Sequence, residues 1–186
     1  MEHPLSSEEN PWQTLSRKAI YENPWIALQE DQVLNPKGGR GIYGTVHFKN
    51  KAIGIIPLDA EQHTWLVGQY RYPLNLYSWE IPMGGGALAQ DPLLSAQKEL
   101  QEETGLTATR WELIAHIHTS NSVTDEEGFV FLAQELHQGA TAFEDTEQLQ
   151  IRRLPFESVF RMALEGQITD AISLIGIFKL ARMLGL

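Results

Sequence analysis

The chain has no cysteine and no long apolar run, and these two absences exclude several classes of protein. Without cysteine among its 186 residues, it forms no disulfide framework, no thiolate metal site and no cysteine nucleophile. No segment resembles a secretory signal or the roughly 20 consecutive apolar residues of a membrane-spanning helix. The 42% hydrophobic content suits one compact domain with a small appended subdomain. We therefore expect a cytoplasmic protein with no membrane partner.

Positive charge is also scarce in this chain. It has 14 lysine and arginine residues against 24 aspartate and glutamate residues, for a formal net charge of -10. Such a surface repels nucleic-acid backbones and anionic membranes. We expect no nucleic-acid partner, and a small anionic substrate would need a metal ion and a few local cations.

Three carboxylates in the segment 84–106 are the strongest functional signal. Glu99, Glu102 and Glu103 are spaced three and four apart, which places them on one face of a helix. Like charges at this spacing repel each other unless a cation lies between them. Oxygen ligands without histidine or cysteine favour magnesium or manganese, which bind through a few carboxylates plus substrate phosphates. The spacing predicts a divalent-metal site and a phosphorylated substrate.

The boundaries of this helix are also readable from the sequence. Asp91 suits the N-cap, Pro92 the first turn, and Gly105 the left-handed residue after the end. A separate apolar stripe is expected to pack on a sheet and to leave the carboxylates on an exposed face. This stripe consists of Leu93, Ala96 and Leu100. The alternative is that the glutamates form a solvated helix face without metal.

Extended and helical stretches alternate along the rest of the chain, which favours a mixed α/β sandwich. We predict strands at 12–21, 25–34, 42–48, 52–58, 64–70, 111–117, 129–135 and 149–154, and helices at 156–165 and 170–184. His116 and His118 alternate on one of these strands and share a face. Because no cysteine or third ligand is near them in the sequence, a zinc site there is disfavoured.

The segment around the three glutamates resembles the Nudix box. The matching residues are Gly84, Glu99, Leu100, Glu102, Glu103, Gly105 and Leu106. Two positions depart from the family pattern. Gln90 replaces a glutamate and loses a charge, and Lys98 replaces an arginine, which keeps the charge without the bidentate fork.

From residue 23 to about 184 the chain resembles the branch of the Nudix superfamily that hydrolyses ADP-ribose and related nucleoside diphosphate sugars. The segments that carry this resemblance are NPWI, GIYGTVHF, VGQYRYPL, SWEIPMGGG, SNSVTDE and EGQITD. It implies an α/β (α+β) fold, a Nudix-type α/β/α sandwich with a mixed sheet, preceded by a small N-terminal antiparallel β-subdomain. The expected division is a flexible N-terminus at 1–11, the subdomain at 12–51 and the Nudix domain at 52–186. The resemblance also implies a homodimer, with the subdomain exchanged between chains in many relatives.

The resemblance assigns roles in metal binding and catalysis. Mg2+, for which Mn2+ can substitute, would be held by Glu99, Glu102, Glu103, Glu147 and the backbone carbonyl of Met83. The catalytic residues would be Glu102, Asp145 and Glu147, with Asp145 as the base and Glu147 as a ligand. Asp145 stands where relatives usually carry glutamate, so these two acids could exchange roles. The alternative is that residues 144–147 form only a solvated acidic loop.

The candidate substrate-binding residues lie outside the box. Arg71 and Glu80 resemble contacts to phosphate, ribose or neighbouring groups, and Trp25, Tyr43 and Tyr72 could stack on a base. Ser122 and Asp125 belong to a polar loop that resembles one facing the substrate. The alternatives are a surface salt bridge for Arg71, core packing for the aromatic residues, and a plain polar connection for the loop.

Three functions compete on this reading. The leading one is a diphosphatase that cleaves a small-molecule nucleotide sugar, such as ADP-ribose, ADP-glucose, UDP-glucose or a GDP-mannose-like compound, into a nucleoside monophosphate and a sugar phosphate. A nucleotide-sugar sensor with weakened catalysis is the second, favoured by Gln90 and Asp145. The third is a Nudix enzyme acting on nucleoside triphosphates or dinucleoside polyphosphates, which the N-terminal resemblance disfavours.

Overall fold

The computed structural model describes residues 10–139 and 149–186, and these form two compact units. The first unit comprises the described residues up to Lys49 together with Ser120–Asp125. The second comprises Asn50–Thr119 and the described residues from Glu126 to Leu186. Within the described residues, no helix is both long and apolar enough to cross a bilayer.

The first unit is an antiparallel sheet of three strands in the order β1-β2-β3. Its strands are β1 (Gln13–Glu22), β2 (Ile26–Leu34) and β3 (Arg40–Phe48). In the β1–β2 turn, Oδ1 of Asn23 accepts hydrogen bonds from the amides of Trp25 and Ile26, each at 2.8 Å. In the β2–β3 turn, Gly38 has φ of +80°, which a side chain would disfavour. The N-terminal antiparallel strands that we predicted are confirmed.

The described residues of the second unit form seven strands, three α-helices and one 3-10 turn. Its strands are β4 (Asn50–Pro57), β5 (His63–Arg71), β6 (Leu76–Glu80), β7 (Met83–Ala87), β8 (Leu106–His118), β9 (Glu127–Gln138) and β10 (Gln150–Pro155). Its helices are α1 (Pro92–Thr104), α2 (Phe156–Leu164) and α3 (Ala171–Leu184), and the 3-10 turn is Tyr72–Leu74. One sheet has the order β7-β4-β9-β8, in which β4 and β9 are parallel and the other pairs antiparallel. The other is antiparallel, in the order β10-β5-β6.

The mixed sheet is buried on both faces. Successive side chains of a strand point to opposite faces of the sheet, and apolar side chains of the central strand β4 are buried on each face. Ile53 and Ile55 of β4 are fully buried in one apolar cluster with Leu100 of α1. Ile56, the next residue, is buried in a second cluster with Ile177 of α3. The sheet therefore lies between α1 on one side and α3 on the other. The predicted α/β/α arrangement is confirmed.

Two strands were not predicted from the sequence, β6 and β7. β7 has the sequence MGGGA, which lacks the β-branched and aromatic residues typical of strands. It forms because Gly84 to Ala87 pair with the buried strand β4. Tertiary pairing thus overrides a weak local preference.

Candidate active site

The capped ends of helix α1 and its buried apolar residues fix which face of the helix is turned toward the sheet. The side chain of Asp91 accepts a hydrogen bond from the amide of Leu93 at 2.9 Å, and Gly105 ends the helix with φ of 71°. Ala96 and Leu100 are fully buried against the mixed sheet. This orientation directs two of the glutamates, Glu99 and Glu103, toward the edge strand β7.

Glu103 is buried, and the prediction that all three glutamates lie on an exposed face is wrong for this residue. It is 1% exposed, and its Oε2 accepts a hydrogen bond from the amide of Met83 at 2.9 Å. A buried carboxylate is costly without partners, and a backbone donor satisfies one oxygen and fixes its position. Met83 begins β7, so this contact joins the helix to the glycine-rich strand. The proposed role of the Met83 carbonyl stays a prediction.

Glu99 lies directly against the backbone of Gly84. A Cβ atom added to Gly84 would overlap the Glu99 carboxylate, so only glycine leaves room for it. Glycine at this box position therefore lets the Glu99 carboxylate keep its place, which any other residue would displace. Farther along β7, a Cβ on Gly86 would lie 2.7 Å from Oγ of Ser95, which shows how closely α1 packs on this strand.

Glu102 and Lys98 form the more exposed side of the cluster. Nζ of Lys98 lies 2.7 Å from Oε2 of Glu102 and 3.8 Å from Oε1 of Glu99. The lysine thus keeps a cation next to two of the carboxylates, although it lacks the planar fork of arginine. The cluster combines oxygen ligands only, one of them buried and held by a backbone amide, and this fits a hard divalent cation such as Mg2+.

The loop before α1 is secured through the backbone of Gln90. Its carbonyl accepts a hydrogen bond from Nζ of Lys51 at 3.0 Å, and its amide donates to the carbonyl of Ala87 at 3.0 Å. Neither contact needs a carboxylate side chain at position 90. Loss of the family glutamate therefore leaves this turn with a cation and a backbone hydrogen bond to hold it.

Arg71 and Glu80 form an ion pair between neighbouring strands. Nε of Arg71 donates to both carboxylate oxygens of Glu80, at 3.0 and 3.1 Å, and Nη2 makes a further short contact with Oε2. The salt bridge that we kept as the alternative for Arg71 is therefore present, with the side chain of Arg71 35% exposed and that of Glu80 3% exposed. The role of Arg71 in substrate binding stays a prediction. The hydrogen bond to Glu80 raises the pKa of Arg71 against the opposing effect of burial, and the charges of Asp170 and Glu103 raise it further.

A cavity of about 210 Å³ adjoins this pair. Arg71, Glu80 and Ser78 line it together with Thr169 and Asp170, which precede α3. The guanidinium of Arg71 therefore lines the same cavity as polar groups from strands β5 and β6 and from the N-terminal end of α3. Such a recess can take a small polar group of a ligand.

Sequence reasoning missed two residues that organise this region. Asp170 caps α3 by accepting a hydrogen bond from the amide of Ser173 at 2.7 Å. Oγ of the fully buried Ser173 in turn accepts a hydrogen bond from the amide of Ile81, two residues before Met83. An aspartate just before an apolar helix is a recognisable N-cap signal. Nothing in the sequence indicates the contact with Ile81.

Four further candidates lie in the first unit, namely Trp25, Tyr43, Ser122 and Asp125. The hydroxyl of Tyr43 donates to the carbonyl of Ser122 at 2.8 Å, and its ring makes an edge contact with Trp12, with centroids 5.3 Å apart. Trp25 is 66% exposed. Tyr43 therefore supports the loop of residues 120–125 by direct contact, whereas Trp25 presents its ring to solvent.

Asp125 closes the same loop onto β3. Its Oδ2 lies 2.6 Å from Nδ1 of His47, and its Oδ1 accepts a hydrogen bond from the amide of Phe48 at 3.2 Å. Burial acts to raise its pKa, but the hydrogen bonds from His47 and Phe48 together lower it below the ordinary value. Asp125 is thus a charged residue of this loop with structural contacts of its own.

Three other candidates complete the set. Tyr72 is 90% exposed in the 3-10 turn after Arg71. Asp145 and Glu147 lie outside the described residues. Their roles as base and ligand stay predictions.

Two family models match consecutive parts of the chain. Residues 12–46 match the model described as the nucleoside diphosphate sugar hydrolase N-terminal domain, and residues 48–173 match the model described as the NUDIX domain. The second match covers more than half of the chain.

Relatives of known activity extend over most of the sequence. An ADP-ribose pyrophosphatase of Mycobacterium tuberculosis is 30% identical over 173 residues, which cover 91% of this chain and 83% of that protein. An ADP-ribose pyrophosphatase of Bacillus subtilis is 28% identical over 160 residues, covering 85% and 86%. A crystal structure of an ADP compounds hydrolase superposes with a TM-score of 0.85 over 97% of both chains at 18% identity, which shows a shared fold.

Proposed function

The chain belongs to the Nudix family of hydrolases, and from that premise we propose that it cleaves the diphosphate of a nucleoside diphosphate sugar of the ADP-ribose type. The products would be a nucleoside monophosphate and a sugar phosphate. The observation that carries this proposal is the match of residues 12–46 to the nucleoside diphosphate sugar hydrolase N-terminal domain, directly before the NUDIX match. The alignments with the two ADP-ribose pyrophosphatases described above cover 91% and 85% of the chain. Each is therefore long enough to include the junction between the two matched domains.

Nudix hydrolases generally depend on a divalent metal, and we propose Mg2+, with Mn2+ as a substitute, for this chain. Glu99, Glu102 and Glu103 would hold it, together with Glu147 and the carbonyl of Met83. When bound, the ion would neutralise diphosphate charge and lower the pKa of a water molecule. The hydrogen bond from the Met83 amide to Glu103 supports this assignment, because it positions a carboxylate oxygen before any ligand arrives.

The proton from the attacking water would pass to a carboxylate close to the metal. We propose Asp145 for this base and Glu147 as an additional ligand, with the reverse assignment as the alternative, and Glu102 as the box residue nearest the reaction. Two observations support this role for Glu102: it is less buried than Glu103, and it lies next to Lys98. A partly exposed carboxylate can contact a water molecule more readily than a buried one.

We propose substrate contacts among the residues described above. In the second unit, Arg71 offers a guanidinium whose orientation is set by Glu80, which suits it for phosphate or ribose oxygens. In the first unit, Trp25 and Tyr43 supply aromatic rings, and Ser122 and Asp125 supply polar groups. We propose these as contacts to the base and the terminal sugar.

We also propose that the protein is a homodimer in the cytoplasm. Every residue of β1 is exposed, although this strand carries Leu15, Ile20 and Tyr21. Apolar side chains collected on one exposed strand are typical of an interaction surface. Fractionation of the source cells tests the location.

Product analysis tests the proposed activity. The purified chain is incubated with ADP-ribose, ADP-glucose, UDP-glucose and GDP-mannose, and separately with a nucleoside triphosphate and a diadenosine polyphosphate, in Mg2+, Mn2+ or chelator. We expect a nucleoside monophosphate and a sugar phosphate from at least one nucleotide sugar, only when metal is present. Saturable binding of nucleotide sugars without metal-stimulated product would select the sensor function instead. Faster cleavage of the triphosphate or dinucleotide would select the third function.

A further inference from the structure

Two histidines and a glutamate lie together at the edge of the mixed sheet opposite to β7. We propose that His116, His118 and Glu127 form a second metal site, selective for zinc or another late first-row dication. β7 and β8 are the two edges of a four-stranded sheet, so the strands that carry the two sites are roughly 14 Å apart at about 4.8 Å per strand spacing. The second site is therefore separate from the glutamates of α1.

The sheet register brings the three side chains to one face. His116 and His118 are two residues apart on β8, and Glu127 of β9 is paired directly with His118. Nε2 of His116 lies 3.5 Å from Oε1 of Glu127. One ligand atom from each residue can be chosen so that all three lie within 4.8 Å of one another. The sequence alone disfavoured zinc here because no third ligand was visible, and cross-strand pairing supplies it.

The geometry suits a small four-coordinate ion. With metal–nitrogen and metal–oxygen distances near 2.1 Å, ligand atoms around a tetrahedral ion are about 3.4 Å apart. The His116–Glu127 distance already has this value, and His118, which is exposed, can approach by side-chain rotation. Three protein ligands leave the fourth position for water. Two imidazoles favour zinc, copper or nickel over magnesium, which prefers oxygen.

Neighbouring contacts hold the site in place. The ring of His116 stacks on Phe129, with centroids 4.6 Å apart and planes 10° from parallel. At the end of the strand pair, Oγ1 of Thr119 donates to Oε2 of Glu126 at 2.6 Å. These contacts fix one ring and the strand ends, which lowers the entropy lost on metal binding. The side chains of His116 and Glu127 are still 46% and 43% exposed, so an ion can enter from solvent.

A second group with metal-ligand residues, Asp59, Glu61 and His63, provides a useful contrast. Nη2 of Arg153 lies 2.6 Å from Asp59 and 2.6 Å from Glu61. A guanidinium thus already neutralises both carboxylates, and a metal would have to displace it. At the proposed site the two imidazoles are neutral donors when deprotonated. Within residues 10–139 and 149–186, the ion pair given for Glu127 is with His116, which is itself a proposed ligand, so a metal ion has no guanidinium to displace there.

Zinc titration of the untagged full chain in excess Mg2+ tests the proposal, because Mg2+ would occupy the proposed oxygen-ligand site on α1. Calorimetry measures zinc binding, and the visible absorption of bound Co2+ reports a four-coordinate nitrogen-containing site. The variants are His118→Gln and Glu127→Gln. The matched control is His137→Gln, which removes an exposed histidine from the same strand pair. His63→Gln tests the contrasting group, and Glu103→Gln tests the glutamates of α1.

We expect one zinc equivalent in the wild type. Loss of a direct ligand should weaken binding by at least the roughly 10–100-fold that second-shell changes cost, so His118→Gln and Glu127→Gln should lose affinity to that extent. His137→Gln, His63→Gln and Glu103→Gln should bind as the wild type does. Zinc binding that survives in His118→Gln, or that disappears in His63→Gln or Glu103→Gln, would overturn the proposal. So would a wild type that takes up no zinc in excess Mg2+.

Discussion

The burial of Glu103 gives the proposed metal site its sharpest test. We expect Glu103→Gln to lower kcat/KM for the best nucleotide sugar by more than about 100-fold, because a direct ligand should matter more than the second-shell partners that cost roughly 10–100-fold. Glutamine keeps an oxygen that can accept from the Met83 amide. The free energy of unfolding in metal-free buffer should therefore change by no more than about 2 kcal/mol, the cost of weakening one charge-assisted hydrogen bond. Steady-state kinetics and urea unfolding measure the two effects.

A matched change separates ligand loss from loss of charge. Glu112→Gln removes the same charge from an exposed position of β8, so it should leave both kinetics and stability near the wild type. Near-wild-type turnover in Glu103→Gln would refute its role as a ligand. Equal losses in both variants would instead point to a general effect of net charge.

Asp59 makes stability depend on pH in a defined direction. Burial acts to raise its pKa, but hydrogen bonds from the amides of His63 and Glu61 and from Arg153 together lower it. A carboxyl whose folded pKa lies below its unfolded value of about 3.9 stabilises the fold at higher pH. That contribution is lost as the pH falls from about 4 through the folded pKa.

The corresponding variant is Asp59→Asn, which keeps an oxygen for the two amides but loses the charge that faces Arg153. We expect it to be less stable than the wild type by about 1–2 kcal/mol at pH 7, because the charged hydrogen bonds to Arg153 are lost. The loss stays this small because the pair is near the surface, where solvent screens the charges. The difference should shrink as the pH falls below 4. Urea unfolding at pH 7, 5 and 3 measures it, and a difference that stays constant over this range would contradict the assigned cause.

The junction between β7 and α1 depends on glycine at one position. In Gly84→Ala the new methyl group would overlap the Glu99 carboxylate, which is the flexible end of a side chain and can move aside. We therefore expect a folded protein with Glu99 displaced, a loss of metal affinity by roughly 10–100-fold and a corresponding loss of activity. Titration of activity with Mg2+ and thermal unfolding measure these effects.

Gly85→Ala is the control on the same strand. Its Cβ would lie 3.2 Å from the side-chain amide of Asn50, which needs only a small adjustment, and it does not approach Glu99. It should retain the Mg2+ dependence of the wild type. If both variants lost metal affinity equally, the effect would come from the strand backbone and not from Glu99.

These elements also show where sequence reasoning succeeds and where it stops. Both ends of α1 follow from Asp91 and Gly105, because capping depends on neighbours in the chain. The burial of Glu103 depends on how closely α1 approaches β7, and β7 forms only by pairing with β4. Glu127 joins His118 through cross-strand register. Contacts of this kind are set by tertiary packing, and the spacing of hydrophobic residues along the chain does not predict them.

The division of the chain into two units does not follow chain order. Residues 120–125, which connect β8 to β9, belong to the first unit. The amide of Val46 in β3 donates to the carbonyl of Val123 at 2.8 Å, and Tyr43 and Asp125 add the contacts described above. The first unit is thus a sheet completed by a loop from a distant part of the chain. Its folding requires long-range closure, which is slower than local hairpin formation.

The exposed β1 strand leads to a prediction about assembly. Leu15, Ile20 and Tyr21 of β1 are exposed in the single chain, and a two-fold dimer would cover them in both copies. We expect the wild type to elute with twice the mass of one chain in size-exclusion chromatography with light scattering. Ile20→Asp places a charge on a residue that is 45% exposed in one chain, and it should shift the protein toward the monomer because an unpaired charge would be buried in the interface.

Ser16→Asp is the matched control, because it adds the same charge to the same strand at a position that is already polar. It should leave the dimer intact. Kinetics on the two variants then show whether the site needs the dimer, since an exchanged first unit would make activity fall with the dimer fraction in Ile20→Asp. A wild type that is monomeric over the whole concentration range would contradict the predicted assembly, and full activity in a monomeric Ile20→Asp would show that each chain builds its own site.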